Sequence, residues 1–560
     1  MPFASLLATP TLGQPAMTAM NAHHLTELAV SNPGALIQSV DWVAVAPPLI
    51  AAIAALGILV ADLFLPARRK QLLGWATITA LVLALLALLP LRGGNRATFC
   101  LKTVAATTDN ADCSYVADHF ALVFQLIAFG GALLTALLSM HTVDEHRLPV
   151  GEYWFLLLSS AAGAALLPAS RDLATLVIAL EVVSLPAFAL VGLRRDRLGG
   201  EGALKFFLSS VTATAVMLLG ISFVYAAGGS IHLSALADGL EHAPAQLQHL
   251  AQAGAALTLV GFAFKAAAVP FHFWLPDTYT GAPVPIAAYL SVVSKVAGIV
   301  GIALVTFIAL RPYGHLWGPL LAVLAAATMT VGNVAALRQR PDAPRGAVRL
   351  LAWSSIGQAG YLLVPLAAAG HQRGGNPLGA TAAYALVYAV VNLGAFAVVA
   401  VVGRGAAENR LDDYRGLFAR RPAAALSLAF ALLCLAGLPP GVVGVFAKVI
   451  VFRAAVDAGL GWLAVVMAVN VVVALYYYLV WTAKLFTPAP AFAPAPASAA
   501  ASDVEAAPQS PSPARLPVAQ SPEPRLPAPL TAAVALTAVG AVVLSLSPEL
   551  VLQVAGIGLF

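Results

Sequence analysis

Residues 261–279 read GFAFKAAAVPFHFWLPDTY. The run is apolar enough for lipid or a protein core, yet it holds Lys265, Pro270 five residues on, and then His272. A charged side chain at the centre of a membrane span costs about 2.5–3.5 kcal/mol on insertion scales. A proline inside a helix removes one backbone hydrogen bond and clashes with the preceding turn. Within a bilayer, backbone freed this way must face protein or water. The stretch therefore predicts a broken membrane helix with room and polarity beside a lysine, or else a packing kink with a structural tie.

The surrounding chain decides that a membrane is meant. Of 560 residues, 60% are hydrophobic and 10% charged, against about 25% charged in an ordinary soluble domain. About 20 apolar residues are needed to cross about 30 Å of hydrocarbon. Fourteen such runs can be read, near 43–64, 71–91, 118–140, 152–170, 172–193, 203–228, 251–275, 283–309, 317–337, 350–369, 378–403, 422–456, 460–483 and 529–558. Each is about twice the length of a barrel strand, so the predicted class is an all-α polytopic membrane protein of about 14 transmembrane helices. The 422–456 run is long enough to be broken.

That run contains a second interruption, CLAGLPPGVVGVFAK at 434–448, with Pro439, Pro440, Gly441 and Gly444 ahead of Lys448. Broken helices in corresponding positions of two halves point to an inverted-repeat transporter. The seventh and twelfth spans fit that pattern, five helices apart and each with a lysine. The expected organisation is an N-terminal extension (1–42), three leading spans (43–150), two inverted five-helix repeats (151–310 and 311–486), a linker (487–528) and a last span (529–560). The extension lacks the basic start and compact apolar core of a signal peptide. The linker is rich in proline, alanine and serine and is expected to be disordered or partly polyproline.

The net charge of +5 is spread along the chain and forms no nucleic-acid-binding patch. On this reading, one set of loops carries nineteen lysines and arginines and the alternate set six. The positive-inside rule places the first set, with the linker, in the cytoplasm and both termini outside. Cys100 and Cys113 share an outer loop where a bridge can persist; a bond between them and a free pair are both compatible with the spacing. Cys434 reads as a packing residue. No cysteine cluster has iron–sulfur or zinc spacing, and no glycine-rich loop follows a strand pattern.

Five basic residues remain inside the spans: Lys205, Lys265, Lys295, Lys448 and Arg453. Arg453 lies near the end of its span and can reach the interface, and Lys205 lies near the start of its own. Lys295 is about a dozen residues into its run, about 18 Å deep at 1.5 Å per residue. The one central acid, Glu181, cannot neutralise three deep lysines, which together ask for roughly 8–10 kcal/mol. Such a surplus is stable around internal water, or if the lysines give up protons part of the time. Lysines of that kind can take up and release protons. The plainer reading makes each one a tie to a neighbouring helix.

Several stretches resemble the antiporter-like membrane subunits of respiratory complex I: ALEVVSLPAFALVGLRR (179–195), GALKFFLSS (202–210), the whole of 261–298, LLAWSSIGQAGYLL (350–363) and VNVVVALYYYLVWTAKLF (469–486). The likeness runs over roughly 43–486 and the last helix. It implies a proton-translocating subunit in which Glu181 and Lys265 form a charge pair. Lys295 would relay the proton and Lys448 would be the distal carrier, with Lys205 and His272 at further polar positions along the axis. It implies no cofactor in this chain; NADH, FMN, iron–sulfur clusters and quinone would belong to partner subunits. The partners would be other membrane subunits of the complex, neighbouring antiporter-like ones included, together with the lipid bilayer of a bacterial cell membrane. Within the family, a lysine at 448 and the lack of a long lateral helix after the last span set this chain apart from other branches. The segment from Pro440 to Lys448 is one residue longer than the common form, which turns a helical side chain by about 100° unless the break absorbs it. A subunit of a multi-subunit cation/proton antiporter and a passive membrane scaffold are the alternatives.

Overall fold

The computed structural model describes residues 40–100, 113–371, 375–488 and 526–556. Most of the expected extension and linker lies outside them. Among the described residues, thirteen helices are long and apolar enough to cross a membrane. The twelfth expected span is the missing one, because it is split in two. The helices are α1 (Trp42–Phe64), α2 (Gln71–Leu86), α3 (His119–Glu145), α4 (Val150–Leu166), α5 (Leu173–Gly192) and α6 (Arg197–Gly228). A short α7 (Leu233–Glu241) precedes α8 (Ala245–Lys265), α9 (Leu275–Gly281) and α10 (Val284–Tyr289). A π-helical turn at Leu290–Ser294 joins α10 to α11 (Lys295–Leu304). The second half runs α12 (Gly314–Leu337), α13 (Gly346–Ala369), α14 (Pro377–Gly403), α15 (Pro422–Ala436), α16 (Val442–Asp457) and α17 (Gly461–Phe486). It closes with α18 (Ala528–Leu546) and α19 (Glu549–Gly556).

Several spans begin where an aspartate can serve the first orphan amides of a helix. Asp41, Asp118, Asp172 and Asp196 each accept a hydrogen bond from a backbone N–H two or three residues ahead. Both sequence-expected breaks are present. Helix α8 ends at Lys265, because Pro270 has no N–H to continue the ladder. Ala266 N–H makes the last regular bond, to the Phe262 carbonyl; the Ala263 and Phe264 carbonyls are taken by the Ala268 and Ala267 amides, and Val269 N–H turns to the Thr328 hydroxyl on α12 at 2.9 Å. Helix α15 ends at Ala436 and is capped by Gly437, whose φ of 81° is one that a side chain resists, and α16 restarts at Val442. The last expected run is likewise divided, at Pro548, into α18 and α19.

Charged helix ends gather on one face. Asp196 meets Arg194 and Arg345 at 3.1 and 3.7 Å; Asp277 meets Lys205 and Arg349 at 2.7 and 3.6 Å; Lys484 meets Asp412. Partly exposed pairs like these contribute about 0–1 kcal/mol each, so they set helix register more than they stabilise. On the opposite face, strands β1 (Arg96–Cys100) and β2 (Cys113–Ala117) form an antiparallel hairpin that the composition did not announce. Cys100 and Cys113 are opposite one another in its register and disulfide-bonded, which resolves the open pairing. The lipid-length helices enclose α13, nearly all of which is buried.

Candidate functional site: buried lysines in series

Lys265 is the last residue of α8 and only 3% exposed. Its Nζ lies 3.6 Å from Glu181 Oε1 and donates to Ser184 Oγ at 2.6 Å and Ser210 Oγ at 2.7 Å. Glu181 and Ser184 are three residues apart on α5, and Ser210 and Thr214 are four apart on α6, so each pair shares one helix face. Thr214 donates to Glu181 Oε1 at 2.8 Å. The ammonium is thus hydrogen-bonded mainly by hydroxyls, with the carboxylate slightly beyond direct contact. Glu181 keeps 24% of its side chain exposed, beside the outward-facing Ile178 and Leu185 of the same helix. It stands between the interior and the outer surface of the bundle.

Lys295 begins α11 directly after the π turn. It is 2% exposed, and its Nζ donates to the hydroxyl and the carbonyl of Ser355 on α13. Among the described residues no acid pairs with it. Gly298, one turn on, allows this approach: a Cβ there would sit 2.4 Å from Ala266 N and 2.7 Å from the Lys265 carbonyl carbon. Helix α11 therefore packs backbone-close against the end of α8, which brings the segments carrying Lys265 and Lys295 together.

Lys448 on α16 is 6% exposed and reaches back across the break to donate to the Ala436 carbonyl at 2.6 Å. That carbonyl belongs to the C-terminal end of α15, where the helix dipole favours a cation. The Lys448 side chain points inward, over the Tyr361 ring at 5.4 Å. It lines a small cavity with Gln358, Tyr384, Tyr388 and Cys434.

Between Lys295 and Lys448 runs a set of buried polar groups. Ser354, next to Ser355, meets the Tyr478 hydroxyl at 2.5 Å. Gln358 Nε2 donates to Tyr478 at 3.2 Å, and Tyr384 donates to Gln358 Oε1 at 2.5 Å. Tyr388 donates to the Ser291 carbonyl at 2.9 Å. Buried polar atoms normally have partners; Asn392 Oδ1, in the same region, has none among the described residues.

The two lesser candidates sit differently. Lys205 lies at the charged face, 45% exposed, bound to Glu201 and Asp277 at 2.7 Å each. His272 lies in the seventh-span break with its ring 5.7 Å from that of Trp353 and close to the Pro270 backbone. Arg453 is 81% exposed, as a residue near a span end should be. Sequence reasoning missed Ser184, Ser210, Thr214, Ser355 and Gln358. Among the described residues, no group of His, Cys, Asp and Glu could hold a metal ion.

The sequence profile described as NADH:quinone oxidoreductase/Mrp antiporter, TM matches residues 170–474, the region that contains all three lysines and Glu181. A curated relative from Streptomyces griseus subsp. griseus, named NADH-quinone oxidoreductase subunit N 2, is 62% identical over 95% of this chain and 96% of its own length. A chain of respiratory complex I from Thermus thermophilus, solved with aureothin bound, superposes with a TM-score of 0.69 at 31% identity, over 90% of this chain and 98% of that one. A chain of the Mrp complex from Dietzia sp. DQ12-45-1b shares the fold with a TM-score of 0.74 at 22% identity, over 91% and 96%. This chain belongs to the NADH:quinone oxidoreductase/Mrp antiporter family of membrane subunits, in its subunit N branch.

Proposed function

We propose that this chain carries protons across a bacterial cell membrane through Glu181, Lys265, Lys295 and Lys448, as a membrane subunit of an NADH–quinone oxidoreductase. The redox chemistry, with NADH, FMN, iron–sulfur clusters and quinone, takes place in partner subunits. The charged face is cytoplasmic and the hairpin face outside, as are both termini. The two halves around the seventh- and twelfth-span breaks are inverted repeats. The observation that carries the reading is three lysines, each at most 6% exposed, placed at two helix breaks and a π turn and each held by hydroxyl or carbonyl oxygens.

Energy arrives as an electrostatic push at Glu181, which is partly open to the outer surface of the bundle. Drawing its carboxylate toward or away from Lys265 changes the proton affinity of the lysine; at present Ser184 and Ser210 are nearer to Nζ. A proton released there passes by water to Lys295, then along the cavity of Gln358 and Tyr384 to Lys448, and leaves outside. An orphaned buried oxygen such as Asn392 Oδ1 suits bridging water, which needs polar partners of this kind. Lys205, paired with Asp277, anchors the charged end of this path; His272 adds a polar group in the break.

Glu181→Gln keeps the shape and the Thr214 hydrogen bond but removes the charge. It is expected to lower NADH-driven proton pumping several-fold while the complex assembles normally, as measured in inverted vesicles; unchanged pumping sinks the pair. The antiporter reading, favoured by the shared fold alone, instead requires transport that depends on sodium. Pumping at equal rates in sodium and in potassium media excludes it.

A further inference from the structure

Helices α12 and α17 face outward along much of their length, with Leu320 and Val323 on one and Val465, Val469 and Val472 on the other exposed. Where they touch, each nonetheless buries an asparagine: Asn333 is 2% and Asn470 is 3% exposed. Asn333 Nδ2 donates to Asn470 Oδ1 at 3.0 Å, and Asn470 Nδ2 donates to the Thr330 hydroxyl at 3.1 Å and the Val466 carbonyl at 3.0 Å. The remaining acceptor, Asn333 Oδ1, takes the Tyr477 hydroxyl at 3.0 Å. An amide between membrane helices is costly unless it is paired, and the proposed lysine series does not use this one.

Its position gives it a use. Tyr477 is followed by Tyr478, whose ring lies 4.4 Å away centroid to centroid. Tyr478 is the group that touches both Ser354 and Gln358, and so stands between the Ser355 that holds Lys295 and the cavity of Lys448. Nothing apolar fixes a smooth helix against rotation or slippage as a directional bond does. One residue of slippage moves a side chain by about 1.5 Å along the axis and 100° around it. Interhelical amide bonds in membranes are individually modest, yet enough to choose one register among nearly equal ones.

We propose that Asn333 and Asn470 are positioning residues for proton transfer, clamping α17 to α12 so that Tyr477 and Tyr478 hold the polar bridge between Lys295 and Lys448. The inference rests on the lysine series proposed above.

Asn470→Thr and Asn470→Val test it as an isosteric pair, since threonine retains an oxygen for Asn333 and valine does not. Tyr477→Phe removes the clamped hydroxyl with the amide pair untouched. Each is read in the assembled complex as the pH profile of NADH-driven proton uptake. The expected result is a profile displaced by half a pH unit or more, with uptake lowered at least threefold, in Asn470→Val and Tyr477→Phe, and a profile near wild type in Asn470→Thr. If Asn470→Val fails to assemble, Tyr477→Phe alone carries the test. A wild-type profile in Tyr477→Phe, or equal uniform losses in the valine and threonine variants, overturns the inference. Lys448→Ala in the wild-type background separates the two levels: full pumping there removes the lysine series itself, whatever the asparagines do.

Discussion

Lys265→Ala is expected to reduce NADH-driven proton uptake and quinone reduction together, by at least tenfold, in a complex that still assembles. The side chain is 3% exposed and held by two hydroxyls and one carboxylate. Removing it deletes the first lysine of the proposed relay and leaves Glu181 with Thr214 as its one hydrogen-bond partner among the described residues. A tenfold loss corresponds to about 1.4 kcal/mol of barrier, a modest demand for the loss of a transfer group. Both activities fall because the push at Glu181 has nowhere to go, and electron transfer coupled to it stalls. Proton uptake and quinone reduction at wild-type rates make Lys265 a structural tie and place the scaffold reading first. Measuring assembled complex in native gels keeps loss of the protein apart from loss of coupling.

The second large effect belongs to a residue with no polar group. In Gly298→Val the new Cβ would meet Ala266 N at 2.4 Å and the Lys265 carbonyl carbon at 2.7 Å. Both are backbone atoms at a helix end, and they cannot swing aside as a flexible side chain does. Overpacking of this kind costs about 1–3 kcal/mol. Helix α11 must move outward from α8, taking Lys295 with it, so pumping is expected to fall at least tenfold and the thermal stability of the complex to drop. Gly57→Ala is the control, since nothing lies within 4 Å of a Cβ there; it is expected to leave both unchanged. A Gly298→Val complex of normal stability and full pumping shows that the close approach of α11 to α8 is dispensable.

These two residues show what could be read in the chain and what could not. The spans were legible because crossing a bilayer demands about 20 apolar residues. The lysines were legible because a deep charge is costly. Pro270, Pro439 and Pro440 were legible as breaks, since proline cannot donate to the ladder; the structure ends α8 at Lys265 and α15 at Ala436 accordingly. Pro548 divides the last run by the same physics, but at the end of a long apolar stretch it read as part of the span.

The partners of the lysines were not legible. Ser184, Ser210 and Ser355 look like any serine of a membrane helix, whose hydroxyl often does no more than bond the carbonyl four residues back. Ser184 in fact does this too, to Leu180 at 2.7 Å, while accepting from Lys265. Spacing gave one hint, for Ser184 lies three residues from Glu181. Asn333 and Asn470 meet across 137 positions of sequence, and no local pattern announces such a pairing. The hairpin at 96–117 escaped notice because its strands are five residues each, short beside the spans around them. The π turn before Lys295 depends on how α10 and α11 pack and leaves no mark in composition.

On the proposed function, protons pass through the interior of this chain by way of its buried lysines. The most direct test is simultaneous measurement of proton uptake and NADH oxidation in inverted vesicles bearing Lys265→Ala, Lys295→Ala and Lys448→Ala together, in complex shown to be assembled. Proton uptake and coupled NADH oxidation are both expected to fall to near background. Uptake at the wild-type rate from the assembled triple variant contradicts the proposed function and leaves the chain as a membrane scaffold.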